Sequence, residues 1–217
     1  MAAATAALAL LLAACGGSSA PSSGSSSAAA KLVTAASKAL RSASSVQIAA
    51  LLPTGTYKLQ LTSTGGSAQL TSGAAQEAWI TIGSTGYLRA NAAFWDRYAT
   101  PAVAATLIDK WVELRPGSGL SQISAYDTIG FWANAFGGKS GSSDDVSEGG
   151  TATIAGQSAI VLDSTDAKSP GKYYVASSST HYPLYLQGRG IKVAFSHYNA
   201  PVSLVAPADA IVEPATL

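Results

Sequence analysis

The sequence is poor in charge. Its 217 residues contain 13 Lys and Arg against 12 Asp and Glu, which is 12% charged residues and a net charge of +1. An average soluble domain carries about 25% charged residues, while the apolar share of 47% is ordinary. Without a basic cluster or a net positive field, the chain lacks what a charge-driven nucleic-acid binder needs, so we expect no nucleic-acid partner.

Reactive side chains are also scarce, with one Cys and two His in the whole chain. One Cys excludes an internal disulfide framework and a multi-Cys zinc site. His181 and His197 have no partner at a catalytic or metal-binding spacing, and no G-x-S-x-G motif is present. Gly138-Lys139-Ser140 resembles the end of a phosphate loop, but Ala133 stands where the first Gly belongs. We therefore expect no catalytic residue, no metal and no cofactor.

The first 14 residues, MAAATAALALLLAA, form an apolar run, and no charge occurs before Lys31. A helix that spans a bilayer needs about 20 apolar residues, so this run predicts the hydrophobic region of a secretory signal instead. The basic segment that usually precedes such a region is missing. We therefore expect a signal peptide over 1–14 that is truncated at its N-terminus.

The run ends in Leu12-Ala13-Ala14-Cys15-Gly16, which resembles the lipobox of bacterial lipoproteins. The resemblance implies cleavage between Ala14 and Cys15 and a diacylglyceryl thioether on the Cys15 thiol. Residues 16–30 contain only Gly, Ser, Ala and Pro, a composition typical of a flexible tether. The alternative is that Cys15 is a small apolar residue of a hydrophobic segment. Signal, anchor and tether together predict a lipid-anchored protein on the outer face of the cytoplasmic membrane.

The rest of the chain, residues 31–217, has the patterning of a single α+β domain. Helical spacing covers 31–41, the Ala-rich stretch 92–110 around Pro101, and 121–136. Period-two alternation separated by glycines predicts antiparallel strands over 46–48, 57–61, 79–82, 87–89, 111–114, 151–155, 158–163, 172–176, 183–187, 191–196 and 202–205. The glycines at 65–66 and 73 are interpreted as turn signals.

Residues 137–150 are polar and Gly/Ser-rich, which predicts a loop. The loop contains Asp144, Asp145 and Glu148, and two interpretations are open: a solvated acidic loop or a weak cation site without the ligand spacing of an EF-hand. Asp163 and Asp166 flank a turn, where Asp is favoured for local hydrogen bonds, so they indicate no acid–base pair by themselves.

Several short motifs resemble one family of actinobacterial lipoproteins. They are the hairpin 153–162, TIAGQSAIVL; the strands 173–176, YYVA, and 182–186, YPLYL; the closing segment 195–202, FSHYNAPV, with Ala206-Pro207 after it; and the earlier segments Gly86-Tyr87-Leu88 and Lys110-Trp111-Val112. Together they resemble the LppX/LprG-type lipoproteins, whose fold is related to that of the carrier LolA. The resemblance covers about residues 31–213.

The resemblance implies a curved antiparallel β-sheet, a LolA-like half-barrel, with helices covering the concave face. In members of known function, a hydrophobic cavity between sheet and helices holds the acyl chains of a lipid or lipoglycan. We expect the lining of such a cavity from apolar residues on the predicted strands and helices: Ile80, Ile82, Leu88, Trp95, Leu107, Phe131, Trp132 and Phe136.

Two functions are open at this point. One is a membrane-anchored carrier or binder of a lipid or lipoglycan. The other is an envelope scaffolding or interaction lipoprotein that keeps the same fold with a filled core. A cavity for acyl chains and an ordinary core both need apolar residues and little buried charge, so composition does not separate them. A hydrolase has no supporting constellation of residues.

Overall fold

The computed structural model describes residues 23–121, 128–137, 146–164 and 170–215. Four helices lie in these ranges: α1 (Ser23–Ser42), α2 (Ala92–Tyr98), α3 (Pro101–Leu107) and α4 (Ile129–Gly137). The strands are β1 (Ser45–Leu52), β2 (Gly55–Thr62), β3 (Gly65–Ser72), β4 (Ala75–Ile82), β5 (Thr85–Ala90), β6 (Val112–Glu113), β7 (Val146–Ile154), β8 (Gln157–Ser164), β9 (Gly171–Ala176), β10 (Pro183–Gly188), β11 (Ile191–Ser196) and β12 (Ile211–Val212).

These strands form one sheet in the order β12-β6-β5-β4-β3-β2-β1-β11-β10-β9-β8-β7. It consists of two meanders, β1 to β5 and β7 to β11, which join where β1 pairs with β11. All pairings are antiparallel except the two-residue contact of β12 with β6. Most neighbouring strands in the sheet are also consecutive in the chain, as expected because short connections favour the pairing of successive strands.

The helices pack on one face of the sheet. Helix α1 contacts α4 and the strands β7, β9 and β10, whereas α2 contacts α3 and β4. Each half of the sheet therefore has its own helical cover. The predicted α+β class and the half-barrel with helices across its concave face are confirmed.

Most of the predicted elements occur close to their expected positions. The stretch 92–110 contains two helices that separate at the Pro101 break, with Pro101 at the start of α3. Helix α4 occupies the end of the predicted 121–136 segment, and 122–127 lie outside the described residues. Helix α1 begins at Ser23, before the Lys31 that periodicity indicated, and it includes residues that composition assigned to the tether. Ala29 and Ala30 are buried there, because alanine favours helix and packs closely against the core.

Three predictions of local structure are wrong. Gly65 and Gly66 belong to β3 and not to a turn, because β3 passes so close to the Thr81 carbonyl oxygen that a Cβ on Gly65 would collide with it. The predicted polar loop ends early, since β7 begins at Val146; this edge strand pairs with β8 alone and is mostly exposed, so its composition is that of a loop. Residues 202–205 form no strand: they lie between Pro201 and Pro207, which have no N–H to donate to a ladder.

Candidate functional site

The face of the sheet under the helices is an apolar wall. In β2 the side chains of Tyr57, Leu59 and Leu61 are buried and alternate with exposed neighbours. Leu59 lies opposite Ile48 on one side and Ala68 on the other, so the wall continues across β1 to β3. Side chains of one buried cluster extend it over the whole sheet: Val46, Trp79, Leu88, Leu162, Val175, Val193 and Phe195.

Helix α2 closes one end of this interior, and Asn91 fixes where the helix starts. The Asn91 Oδ1 accepts hydrogen bonds from the N–H groups of Phe94 and Gln76, both at 3.2 Å. Its Nδ2 donates to the Ala74 carbonyl at 2.9 Å, so the cap also binds the β3–β4 turn. Trp95 Nε1 donates to the Ala90 carbonyl at 3.2 Å. Phe94 and Trp95 are thereby held inside the protein in an edge-to-face contact at 5.1 Å.

Helix α4 closes the other end with aromatic side chains. Phe136 is fully buried and meets Tyr173 and Phe195 edge-to-face, with ring centroids 5.3 and 5.8 Å apart. Two polar contacts hold α4 against α1: Ser37 Oγ donates to the Ala133 carbonyl at 2.8 Å, and Arg41 donates to Asn134 Oδ1 at 2.7 Å. The interior on this side is therefore bounded by side chains that contact each other mainly through apolar surface.

Very little charge enters this interior. Among the described residues, Ser45 and Glu213 are the buried polar or charged ones. Glu213 is at the edge of the sheet, where its Oε2 accepts a hydrogen bond from the Arg115 N–H at 2.6 Å. Ser45 Oγ donates to the Ala200 carbonyl at 2.5 Å. Neither group leaves an unsatisfied polar atom against the apolar wall.

One partly buried carboxylate lies near the wall, beside Trp79. The Trp79 indole Nε1 donates to Glu77 Oε2 at 3.1 Å. Burial raises the pKa of Glu77, and the hydrogen bond from Trp79 together with the positive charge of Arg97 offsets part of that rise. The carboxylate thus sits at the rim of the interior in surroundings that disfavour its ionised form.

The structure places the predicted lining residues in two different positions. Leu88, Trp95, Leu107, Trp132 and Phe136 belong to the buried cluster between sheet and helices, and Phe131 packs against it while partly exposed. Ile80 and Ile82 alternate with Trp79 in β4, and Ile80 lies opposite Tyr87, whereas Trp79 lies opposite Leu88. The two isoleucines therefore face the side of the sheet away from the helices. The period-two alternation of β4 correctly separated the residues of its two faces, but it does not indicate which face the helices cover.

Several interior residues were missed by sequence reasoning. Phe94 lies beside Trp95 in the same short aromatic run. Val33 and Leu40 were recognised from helical spacing as one face of a helix, and the structure buries both in the interior. Tyr173 and Phe195 each occupy a strand whose alternation was recognised without a choice of face. The contact of Phe136 with both of them is long-range, so no local pattern reveals it.

The remaining predicted sites are mostly outside the described residues. These are Ala14 and Cys15 of the lipobox, the loop residues Asp144 and Asp145, and Asp166. Glu148 is exposed in β7. Asp163 forms an exposed ion pair with Lys172 at 2.6 Å, and this hydrogen bond raises the pKa of Lys172.

The two histidines make local contacts. His181 Nδ1 is 3.3 Å from the Ala176 carbonyl oxygen, and His197 Nδ1 is 3.0 Å from Ser196 Oγ. Within the described ranges, no group of three or more His, Cys, Asp or Glu residues is arranged to hold a metal ion. The same ranges contain no helix that is both long and apolar enough to span a membrane.

Comparison with known proteins supports the fold through structure and not through sequence. No protein-family model matches the chain, and no curated protein matches its sequence significantly. The structure is similar to LprF from Mycobacterium bovis, with a TM-score of 0.58 and 13% identity over 84% of this chain and 98% of that one. It is also similar to the lipoprotein LppX of Mycobacterium tuberculosis, with a TM-score of 0.55 and 14% identity over 82% of this chain and 99% of that one.

The half-barrel is therefore the fold of the LppX/LprG-type lipoproteins. The resemblance seen in the short sequence motifs is confirmed for the fold over most of the chain.

Proposed function

We propose that this protein is a membrane-anchored lipoprotein of the cell envelope that binds or carries a lipid or lipoglycan between its sheet and its helices, without catalysing a reaction. The observation that carries the proposal is the apolar interior of the half-barrel, into which no described residue projects a fully buried charge. Acyl chains need such a lining, and an ionised group within it would have to lose its hydration.

The acyl chains would enter between α4 and the sheet. Ser37 of α1 donates a hydrogen bond to the backbone of α4, Arg41 donates one to Asn134, and Phe136 contacts the sheet through apolar surface. Burying a CH₂ group stabilises a complex by about 0.8 kcal/mol, so a chain of roughly ten such groups gains about 8 kcal/mol before any cost of moving side chains. This gain is large enough to replace the Phe136 contacts with ligand contacts.

Anchoring would come from Cys15. A single acyl chain binds membranes weakly and reversibly, whereas the two or three chains of a lipoprotein anchor hold it stably. The Gly/Ser/Ala stretch between Cys15 and α1 would let the half-barrel approach or leave the membrane surface. Cleavage before Cys15 would leave the mature protein on the outer face of the cytoplasmic membrane.

A second candidate function is that of an envelope scaffolding lipoprotein with a filled core. The observation that favours it is the burial of Phe94, Trp95 and Phe136 in the present arrangement, in which Phe94 packs on Trp95 and Phe136 packs on Phe195 of the sheet. Such a protein would act through its surface and would hold no lipid.

Extraction of the full chain, purified from the envelope in mild detergent, separates the two candidates. Mass spectrometry of the extract should show a lipid at near-stoichiometric amount that is absent from a control protein purified in the same detergent. A lipid-free extract, together with no uptake of a fluorescent phospholipid by the purified chain, would refute the carrier.

A disulfide between α1 and α4 tests the route of entry. A Cβ added at Gly137 would lie 3.1 Å from Ser37 Cβ, close to the roughly 3.5–4.5 Å of disulfides. In a Cys15→Ser background, the Ser37→Cys/Gly137→Cys protein should lose phospholipid uptake when oxidised and regain it when reduced. The Ser37→Cys single variant is the matched control and should respond to neither treatment. Equal uptake by the oxidised and reduced double variant would show that α4 does not move away from α1 during loading.

Substitution of Cys15 tests the lipid anchor. Cys15→Ser should abolish labelling of the chain with a radioactive fatty acid and leave it with the mass of the uncleaved precursor. If the Cys15→Ser protein still incorporates the fatty acid, the lipobox interpretation is wrong.

A further inference from the structure

We propose that the face of the sheet opposite the helices carries a second binding site, a trough of mixed polar and apolar lining across β1 to β5 that takes an acidic oligosaccharide. We call this side the open face; it is defined by Gln47, Lys58, Gln60, Gln69 and Arg89, which alternate with the buried residues of their strands. The site is independent of whether the interior holds a lipid.

The trough has a volume of about 530 Å³. This volume lies within the range of about 300–1,000 Å³ that small-molecule sites usually have. Its shape follows from the size of the side chains along the strands. The floor includes small residues such as Ala49, Ser67 and Ala78, while longer polar side chains and Trp111 rise around them.

Two rows of side chains run across the strands, and the register fixes their order. The first row is Ala49, Lys58, Gln69, Ala78 and Arg89. The second row includes Gln47, Gln60, Ser67 and Ile80, and it is continued by Ser196 of β11. Amide groups from three adjacent strands are thereby brought side by side.

The amides supply the hydrogen bonds that sugar hydroxyls use. Each Gln side chain offers two N–H donors and one carbonyl acceptor, and a hydroxyl both donates and accepts. In the described part of the chain, the side chains of Gln47, Gln60 and Gln69 make no hydrogen bond to another protein group. Their donors and acceptors are therefore available to a ligand.

Trp111 supplies an apolar surface at one end of the trough. The Arg89 guanidinium carbon lies 5.1 Å from the centre of the Trp111 ring, which orients both groups. A sugar ring has an apolar face of C–H groups, and an aromatic side chain beside amides matches a ligand that is apolar on one side and polar on the other.

The charge of the trough lining favours an acidic ligand. Lys58 and Arg89 are exposed, and neither has an ion-pair partner among the described residues. No carboxylate of a described residue is part of the trough lining. Glu113 of β6 lies opposite Tyr87. Asp109 and Glu77 line the adjoining pocket on the other side of Arg89. Arg89 can form paired hydrogen bonds with a carboxylate or a phosphate, so either group on the saccharide would satisfy it.

Titration of the full chain in mild detergent with an oligogalacturonate trimer tests the site, with tryptophan fluorescence as the readout. Of the four Trp residues, Trp79 and Trp111 line the trough, and Trp111 is the more exposed of the two, so we expect it to dominate a change on binding. Arg89→Gln and Lys58→Gln should each weaken binding at least about tenfold, and Trp111→Leu should remove the fluorescence change. The neutral trimer maltotriose should bind far more weakly.

Lys192→Gln is the matched control, because Lys192 is exposed on the open face in β11 but lies outside the trough. This variant should bind as the parent protein does. An equal loss in Lys192→Gln, no binding at millimolar trimer, or equal binding of an oligoglutamate peptide or of phosphatidylglycerol vesicles would overturn the assignment. Where the trimer binds, a glucose 6-phosphate titration separates the two acidic groups. Saturation that Arg89→Gln weakens supports a site that accepts either anion, no saturation supports the carboxylate as the anion, and saturation that Arg89→Gln leaves unchanged counts against the site.

Discussion

Tyr198 lies flat on Tyr182, with ring centroids 4.0 Å apart and planes inclined by 12°. Its hydroxyl donates a hydrogen bond of 2.6 Å to the Pro183 carbonyl oxygen. The next residue, Asn199, donates from Nδ2 to the Tyr182 hydroxyl at 2.9 Å and accepts from the Ser44 N–H at 2.9 Å. The closing motif, one of several that resemble the family, is therefore a structural clasp, which ties the segment after β11 to β10 and to the connection between α1 and β1.

The clasp predicts a stability loss for Tyr198→Phe. The substitution keeps the stacked ring but leaves the Pro183 carbonyl without its donor, which costs about 1–2 kcal/mol in the free energy of unfolding. Urea denaturation measures the difference. Tyr185→Phe is the control, because this change removes a hydroxyl from the same sheet without breaking a described hydrogen bond, and it should alter stability by less than about 0.5 kcal/mol. Equal effects of the two substitutions would contradict the prediction.

Tyr198 also predicts a dependence on alkaline pH. Burial raises the pKa of its hydroxyl above the ordinary value near 10, and the negative charge of an ionised Tyr182 adds to the rise. Above pH 10 the unfolded chain therefore releases a proton that the folded chain keeps, so this contribution to stability is complete below pH 10 and declines as pH rises further. The stability difference between the parent and Tyr198→Phe should shrink between pH 9 and pH 11, as followed by urea denaturation at each pH. A constant difference would show that the hydroxyl ionises equally in both states.

Glu77→Gln is predicted to stabilise the protein, in contrast to Tyr198→Phe. Because burial raises its pKa, the folded state holds the Glu77 proton more tightly than the unfolded state, and its contribution to stability falls as pH rises through 4.5 towards the folded pKa. Glu77→Gln keeps an acceptor for Trp79 Nε1 without the charge. At pH 7 it should raise the free energy of unfolding by about 0.5 kcal/mol, since solvent screening and the lost attraction to Arg97 limit the gain.

The Glu77→Gln prediction is checked by thermal unfolding at pH 7 and at pH 3.5. The gain should disappear at the lower pH, where the carboxyl of the parent protein is protonated in both states. Glu148→Gln removes an exposed carboxylate of β7 and should change little at either pH. A destabilised Glu77→Gln protein at pH 7 would mean that the charge itself stabilises the β4 region.

The fold was predictable from sequence because its elements are mostly local. Strict alternation in β2, such as Tyr57-Lys58-Leu59-Gln60-Leu61, and the Pro101 break between α2 and α3 are patterns of neighbouring residues. Strand β3 escaped prediction because Gly65 and Gly66 have the composition of a turn, while the reason for them is a close approach of β4. The second half of edge strand β7 was predicted as the strand 151–155, whereas residues 146–150 escaped because they pair with β8 alone and are packed too little to need an apolar pattern.

The candidate sites were less predictable, because they depend on which face the helices cover. Trp79 and Ile80 are adjacent and both apolar, and only the packing of α2 against β4 assigns Trp79 to the interior. The trough of the open face depends on the register of the strands. Gln47 and Gln60 are neighbours because β1 pairs with β2 so that these two residues lie opposite each other. A pattern within a single strand holds no information about that pairing.

Phe136 is the residue through which α4 contacts the sheet. We expect its truncation to lower the free energy of unfolding strongly. Phe136→Ala removes a fully buried ring and its contacts with Tyr173 and Phe195, which costs about 3–5 kcal/mol where the cavity does not collapse. Leu51→Ala, at a side chain that is 47% exposed, should cost less than about 0.5 kcal/mol. Denaturant unfolding of the lipid-free chain measures both. A loss of under about 1 kcal/mol for Phe136→Ala would show that α4 does not rest on the sheet.

Gly65 tests the close approach of β3 and β4 directly. A Cβ at this position would collide with the Thr81 carbonyl, which belongs to the backbone and cannot rotate away. Gly65→Ala should therefore separate the two strands locally and cost about 1–3 kcal/mol. Gly119→Ala is the matched control, since no atom lies within 4 Å of its added Cβ, and it should alter stability by less than about 0.5 kcal/mol. Urea denaturation gives the size of both effects, and amide hydrogen exchange should show faster opening at the β3–β4 pair in Gly65→Ala alone. If Gly65→Ala were as stable as Gly119→Ala, the glycine would mark a turn preference and not a contact between strands.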